Sequence, residues 1–143
     1  MTEPLPTLTI LLAEDDDVAA EAVVRSLSKA GLNFPVVWAE DGEQALRALR
    51  GDDPLRRVPR PRMTLLDLNM PRMNGFEFLQ ALRSDDELCD DVVFVLTTSD
   101  VDTDRMRAYH EHVAGYMVKS SVGPQFSRLA QLLGLYQHVI RLP

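Results

Sequence analysis

An apolar run that stops on a single carboxylate is the feature that most restricts how this chain can fold. Met63-Thr64-Leu65-Leu66 leads into Asp67, Leu68-Asn69-Met70-Pro71 breaks any regular element, and Asn74-Gly75-Phe76 then opens a helix. Proline is excluded from strand and helix interiors, so Asp67 closes a short strand rather than sitting inside one. A short buried strand of this kind belongs to a sheet covered on both faces. The carboxyl edge of such a sheet is where open α/β folds place their ligands. Asp67 is therefore either a capping residue or a reactive group.

The same pattern recurs along the chain. Thr7 to Ala13 is nearly continuous in apolar character and ends in Glu14-Asp15-Asp16-Asp17. Phe34 to Ala39 forms a second strand, and Pro35 near its start predicts an edge position. Val92 to Leu96 is the most β-prone run, predicts a central strand, and stops on Thr97-Thr98-Ser99. Val113 to Val118 supplies a fifth strand, which ends at Lys119.

Helical spacing fills the intervals. Ala20, Val23, Val24, Leu27 and Ala30 share one face, with Asp16 or Asp17 as the N-cap and Gly31 as the stop. After Asp41-Gly42, Ala45, Leu46 and Leu49 point inward while Arg47 and Arg50 point out. Phe76, Leu79 and Leu82 are the inward residues of a helix from Asn74 to about Ser84, closed by Asp85-Asp86-Glu87. From Thr103 to His112 only Met106, Ala108 and Tyr109 could pack, which predicts a loosely held helix. The last helix, from about Gly123 to Ile140, carries Phe126, Leu129, Leu132, Leu133, Tyr136 and Ile140, more apolar surface than one face needs. Strands and helices alternating five times predict an α/β fold: a single parallel sheet wound on both faces. The long connection is Gly51 to Arg62, with three prolines and the arginines Arg56, Arg57, Arg60 and Arg62. It reads as a solvated surface excursion, or else as a docking patch for a partner.

Bulk properties narrow the function. A length of 143 residues suits one domain, and a net charge of −7 argues against binding nucleic acid or an anionic membrane. The same acidity favours a divalent cation wherever the acids cluster. Leu8 to Ala13 is too short to span a bilayer and has no basic segment before it, so a cytoplasmic protein is expected. A single cysteine, Cys89, excludes an internal disulfide and has no activating cation nearby, so it reads as inert. His110 and His112 do not share a helix face, which argues against a metal site there, and His138 reads as exposed.

In a parallel sheet the strand C-termini lie along one edge, so residues distant in sequence become neighbours. Here they are Glu14 with Asp15, then Asp67, Thr97 and Lys119. Three carboxylates in one place repel unless a cation neutralises them, and Mg²⁺ favours oxygen donors of this kind together with a phosphate oxygen. Lys119 brings a positive charge and Thr97 a hydroxyl donor. Together they describe the surroundings needed to form and hold an aspartyl phosphate.

With these residues in order, the sequence resembles the receiver domains of two-component response regulators over essentially its whole length. The resemblance rests on Glu14-Asp15, on Asp67 followed by Asn69, Met70, Pro71 and Gly75, on Thr97, and on Tyr116 with Lys119. It implies a flavodoxin-like sheet of strand order 2-1-3-4-5. It further implies that Asp67 accepts a phosphoryl group from a sensor histidine kinase. Asp15, Asp67 and the Asn69 carbonyl would ligate Mg²⁺, with Glu14 holding a metal-bound water. Lys119 would bind the phosphate, Thr97 would turn toward it, and Tyr116 would move between outward and inward positions. That movement would alter the surface of the fourth helix, fifth strand and fifth helix.

Leu96 to Ser99, Tyr116 to Ser120 and the closing Leu142-Pro143 resemble, more narrowly, single-domain regulators that partner bacterial phytochrome kinases. Such regulators pair through C-terminal elements, which implies a homodimer and accounts for the over-apolar last helix. The expectation is a receiver alone over 1–143, with no output domain and no catalysis beyond its own phosphorylation and dephosphorylation. Three features depart from the family pattern: Ser120 stands where proline usually follows the lysine, Thr98 where a smaller residue is common, and the Gly51 to Arg62 loop is long. A competing class is the dehalogenase-type Mg²⁺-dependent phosphatase or phosphotransferase with an aspartate nucleophile. Those enzymes place an acid two residues after the nucleophile, whereas Asn69 is an amide and cannot cycle a proton.

Overall fold

The computed structural model describes residues 7–121 and 126–143. Five strands, β1 (Thr9–Ala13), β2 (Val36–Ala39), β3 (Arg62–Leu66), β4 (Val92–Thr97) and β5 (Gly115–Val118), form one parallel sheet of order β2-β1-β3-β4-β5. Between and after them lie α1 (Asp17–Lys29), α2 (Gly42–Arg50), α3 (Gly75–Arg83), α4 (Asp102–His110) and α5 (Ser127–Val139), with a single 3₁₀ turn at Lys119–Ser121. This is the doubly wound, flavodoxin-like arrangement, with β2 at an edge as Pro35 predicted. The beginning of the last helix, expected at Gly123, lies outside the described residues. No helix among the described residues is long and apolar enough to cross a membrane.

The period of two along each strand divides the core. Leu11, Leu66, Val93 and Val95 pack with Leu46, Leu49, Phe78, Leu79 and Leu82 on the side of α2 and α3. Ile10, Leu12, Leu65 and Leu96 pack with Ala20, Val23, Leu27, Leu129 and Leu133 on the side of α1 and α5. Every residue of β1 and β3 is buried, so the two central strands are held on both faces. In register, Ala13 pairs with Leu66, Leu66 with Val95, and Thr97 with Val118. The residues that end these strands or follow them directly therefore emerge at one edge.

Local signals explain the helix ends. Asp16 caps α1 by accepting from the Val18 and Ala19 N–H groups, and Gly31 follows it with φ of 74°. Asn74 and Glu77 form a reciprocal capping box at α3. Gly75 has no room for a side chain: an added Cβ would lie 2.7 Å from both the Asp67 carbonyl oxygen and the Leu68 Cα. Its N–H donates to the Leu68 carbonyl at 3.0 Å, so α3 starts directly against the loop that Asp67 begins.

Several expectations are corrected. Val24 and Ala30 are exposed, so the buried stripe of α1 is Ala20, Val23 and Leu27 with Ser26. On α4, Met106 and Tyr109 face solvent and Ala108 alone is buried. The connection from Gly51 is not a free excursion. Arg56 bonds Asp53 at 3.0 Å and donates through Nε to the Trp38 carbonyl at 2.9 Å, which covers part of the outer edge of β2. Arg62 belongs to β3 itself and is buried, paired through Nε and Nη2 with the buried Asp91 at 2.8 and 3.0 Å. Arg60 also reaches Asp91, at 2.9 Å. Of the four arginines of this segment, three therefore hold the fold together, and Arg57 remains at the surface.

Candidate functional site

The carboxyl edge of the sheet gathers the strand-end residues as the alternation predicted. Asp67, directly after β3, is buried, and its backbone N–H donates to the Ala13 carbonyl at 2.9 Å, which ties it to the end of β1. Its Oδ1 accepts from the Thr97 hydroxyl at 3.1 Å and from the Asn69 N–H at 3.2 Å. Its Oδ2 faces the Lys119 ammonium at 3.4 Å. Both carboxylate oxygens thus have a donor, and those donors come from β4, the β3–α3 loop and the end of β5.

Glu14 is buried beside it. Its Oε2 accepts from Lys119 Nζ at 2.7 Å and its Oε1 from the Asp16 N–H at 3.3 Å. Burial chiefly, with the neighbouring Asp67 charge, pushes the Glu14 carboxyl up to about 7 against the pull of Lys119. For Lys119, burial alone would lower the ammonium, but the Glu14 and Asp67 carboxylates outweigh it and hold the group above its ordinary range. Burial and a neighbouring carboxylate thus both make the charged form of Glu14 costly, and Lys119 offsets only part of that cost.

Glu14, Asp15 and Asp67 offer carboxylate oxygens that all lie within 4.8 Å of one another. Three hard oxygen donors, one of them exposed on Asp15, fit a small divalent cation that keeps some water. Asn69 is exposed at the start of the same loop.

Thr97 is completely buried, whereas Thr98 next to it is exposed. The half-buried Tyr116 donates its hydroxyl to the Ser99 carbonyl at 2.9 Å, and burial holds its phenol above the usual range. After Lys119, where Ser120 replaces proline, the chain forms the 3₁₀ turn. Every residue singled out at a strand end is at this edge. Pattern reading missed Trp38, whose indole N–H donates to the Glu14 carbonyl at 2.7 Å and steadies the acidic loop from β2. Ser99 was in view as the end of the β4 run, but not its partner: its side chain donates to Asp104 at 2.7 Å. A tryptophan on an edge strand carries no periodic signal, and a serine's partner across a turn is not encoded in its own position.

Comparison with known proteins agrees with this geometry. Residues 10–131 match the response regulator receiver domain family. A probable methanogenesis regulatory protein, FilR2 of Methanothrix harundinacea, is 39% identical over 110 residues, 77% of this chain and 70% of the relative. The response regulator Rcp1 of Synechocystis sp. is 33% identical over 118 residues, 82% of this chain and 80% of the relative. The solved Mn²⁺-bound form of Rcp1 superposes with a TM-score of 0.82 at 29% identity, covering 96% of this chain and 99% of that one. The phosphorylated cyanobacterial phytochrome response regulator RcpA gives a TM-score of 0.84 at 29% identity, with the same coverage of 96% and 99%.

Proposed function

This chain belongs to the response regulator receiver domain family, and from that premise we propose that Asp67 is the acceptor of a phosphoryl-dependent signalling switch. The donor is a phosphohistidine on a sensor histidine kinase. An Asp67 carboxylate oxygen forms the new P–O bond as the P–N bond of the donor breaks, and the electron pair leaves with the imidazole. The observation that supports this assignment most is the simultaneous approach of Thr97 and Lys119 to the two oxygens of one buried carboxylate.

Glu14, Asp15, Asp67 and the backbone carbonyl of Asn69 are the residues that would hold Mg²⁺. When bound, the cation offsets the repulsion between the carboxylates and the incoming phosphoryl oxygens. Lys119 then has an anionic oxygen to pair with in place of a second carboxylate. Thr97 turns its hydroxyl from Asp67 toward the phosphoryl group, and Tyr116 follows, changing the face built by α4, β5 and α5.

Similarity to RcpA supports a phytochrome-type histidine kinase as the phosphoryl source. The partner on the other side is a second copy of this chain. Leu132, Leu135 and Val139 lie at helical spacing on α5 and are exposed, a stripe that a copy would cover. A protein of this kind works in the cytoplasm, in keeping with its single cysteine.

The test is intact mass after incubation with Mg²⁺ and a small acyl phosphate. The parent gains a phosphoryl group, Asp67→Asn gains none, and removal of Mg²⁺ suppresses the gain. Equal labelling of Asp67→Asn would overturn the assignment, and multiple-turnover hydrolysis of phosphate monoesters would revive the phosphatase class. For pairing, a monomeric mass both with and without Mg²⁺ and a phosphoryl mimic would sink the dimer.

A further inference from the structure

The two halves of α4 are attached to the protein in different ways. The C-terminal half is pinned to α3: Ala108 is buried, the Arg107 guanidinium lies 4.0 Å over the Phe76 ring, and Arg83 donates to the Glu111 and His112 carbonyls at 2.8 and 3.0 Å. The N-terminal half has no such anchor. Its cap position, Val101, provides no side-chain acceptor, and Val101 and Met106 are exposed. Among the described residues, Arg105 forms its ion pairs with Asp100 and Asp102, both close to it in the chain.

Ser99 is what joins this half to the rest. Its Oγ donates to Asp104 Oδ2 at 2.7 Å and accepts from the Val101 N–H at 3.4 Å. Its own N–H donates to Thr97 Oγ1 at 3.4 Å, and its carbonyl accepts from the Tyr116 hydroxyl at 2.9 Å. One residue thus bonds the hydroxyl that touches Asp67, the first turn of α4 and the aromatic on β5.

We propose that Ser99 is a positioning residue, and that through Asp104 it makes the N-terminal half of α4 follow the orientation of the Thr97 hydroxyl. The proposal rests on the phosphoryl-switch reading. If Thr97 turns away from Asp67, the acceptor of the Ser99 N–H moves with it. Ser99 is bonded on three other sides, so the displacement passes to Asp104 and Val101, while the half of α4 held by Arg83 and Phe76 stays in place. The helix then pivots about its C-terminal end.

Hydrogen exchange by mass spectrometry tests this, read separately over residues 100–106 and 107–112 and compared at equal phosphoryl occupancy of Asp67. In the parent, phosphorylation should change exchange over 100–106 by about fivefold and over 107–112 by less than about twofold. Ser99→Ala and Asp104→Ala should each reduce the response over 100–106 to less than about twofold, while Ser99→Thr, which keeps a hydroxyl, should restore it. Asp104 touches no residue that contacts the phosphoryl group, so Asp104→Ala takes up label at the parental rate and keeps the test valid should Ser99→Ala fold poorly. A full response over 100–106 in Asp104→Ala, or an equal response of both halves in the parent, overturns the proposal while leaving the switch intact. A parent that gains no phosphoryl mass overturns both.

Discussion

Helices α3 and α4 are the same length, nine residues, and each follows a strand whose end supplies a residue to the site. Their attachment is opposite. α3 starts with a capping box and buries Gly75, Phe76, Phe78, Leu79 and Leu82. α4 starts at an uncapped Val101 and buries Ala108 alone. Packing of an amphipathic face, rather than intrinsic propensity, supplies most helical stability in a protein, so the two cannot be equally firm. α3 is the fixed wall that holds Asp67 in place. α4 is the more weakly held wall, since little burial would have to be given up were it to shift.

The largest expected effect breaks the fixed wall. Phe78 is fully buried under the sheet, so Phe78→Ala should cost about 3–5 kcal/mol, combining lost transfer energy with the cavity left behind. Met106→Ala, on the outer face of α4, should change stability by less than about 0.5 kcal/mol. Urea unfolding of both variants checks the contrast. Similar losses would mean that α4 is packed against something after all.

Next comes Gly75→Ala. The new methyl would press on the Asp67 carbonyl and the Leu68 backbone, and overpacking of this kind costs about 1–3 kcal/mol. Because the clash is with Asp67 itself, phosphoryl uptake should slow as well, measured by intact mass at saturating Mg²⁺. A stability loss with an unchanged uptake rate would show that the loop yields without moving the carboxylate. A smaller effect is expected at the cap: Asn74→Ala removes the acceptor for the Glu77 N–H and should cost about 1 kcal/mol.

The contrast between the helices was partly legible in the chain, and where it was not, the reason is physical. The site was legible because a parallel sheet turns strand order into adjacency, so the residues after Ala13, Leu66 and Val118 had to meet. Loose attachment of α4 was legible from its scarcity of apolar residues. Which of those residues would pack was not, since burial of Met106 and Tyr109 depends on an element lying opposite them, and among the described residues both stay exposed. Arg62 shows the converse. Its charge pointed to solvent, yet Asp91, far along the chain, neutralises it inside the fold. A buried ion pair depends on two distant residues at once, and neither carries a sign of the other. Trp38 is a similar case, since its indole N–H serves the Glu14 carbonyl across the strand pair.

The most delicate experiment gives α4 what α3 already has. Val101 occupies the N-cap position with φ of −80° and ψ of 130°, extended geometry in which a capping side chain can reach the free N–H groups of the first turn. Val101→Asp should therefore stabilise the protein by about 0.5–1 kcal/mol, through a side-chain acceptor and a negative charge at the positive end of the helix dipole. Val101 is more than half exposed, so little packing is lost in exchange. Asp100, Asp102 and Asp104 already crowd this turn with negative charge, which should hold the gain at the lower end; salt screens that repulsion and the dipole attraction alike, so the gain should change little with ionic strength. Thermal unfolding at low and high ionic strength measures both. If the movable wall is movable because its first turn is poorly held, the same substitution should blunt the exchange response of residues 100–106 to phosphorylation. A stabilised helix that still responds in full would assign the mobility of α4 to its sparse packing rather than to its missing cap.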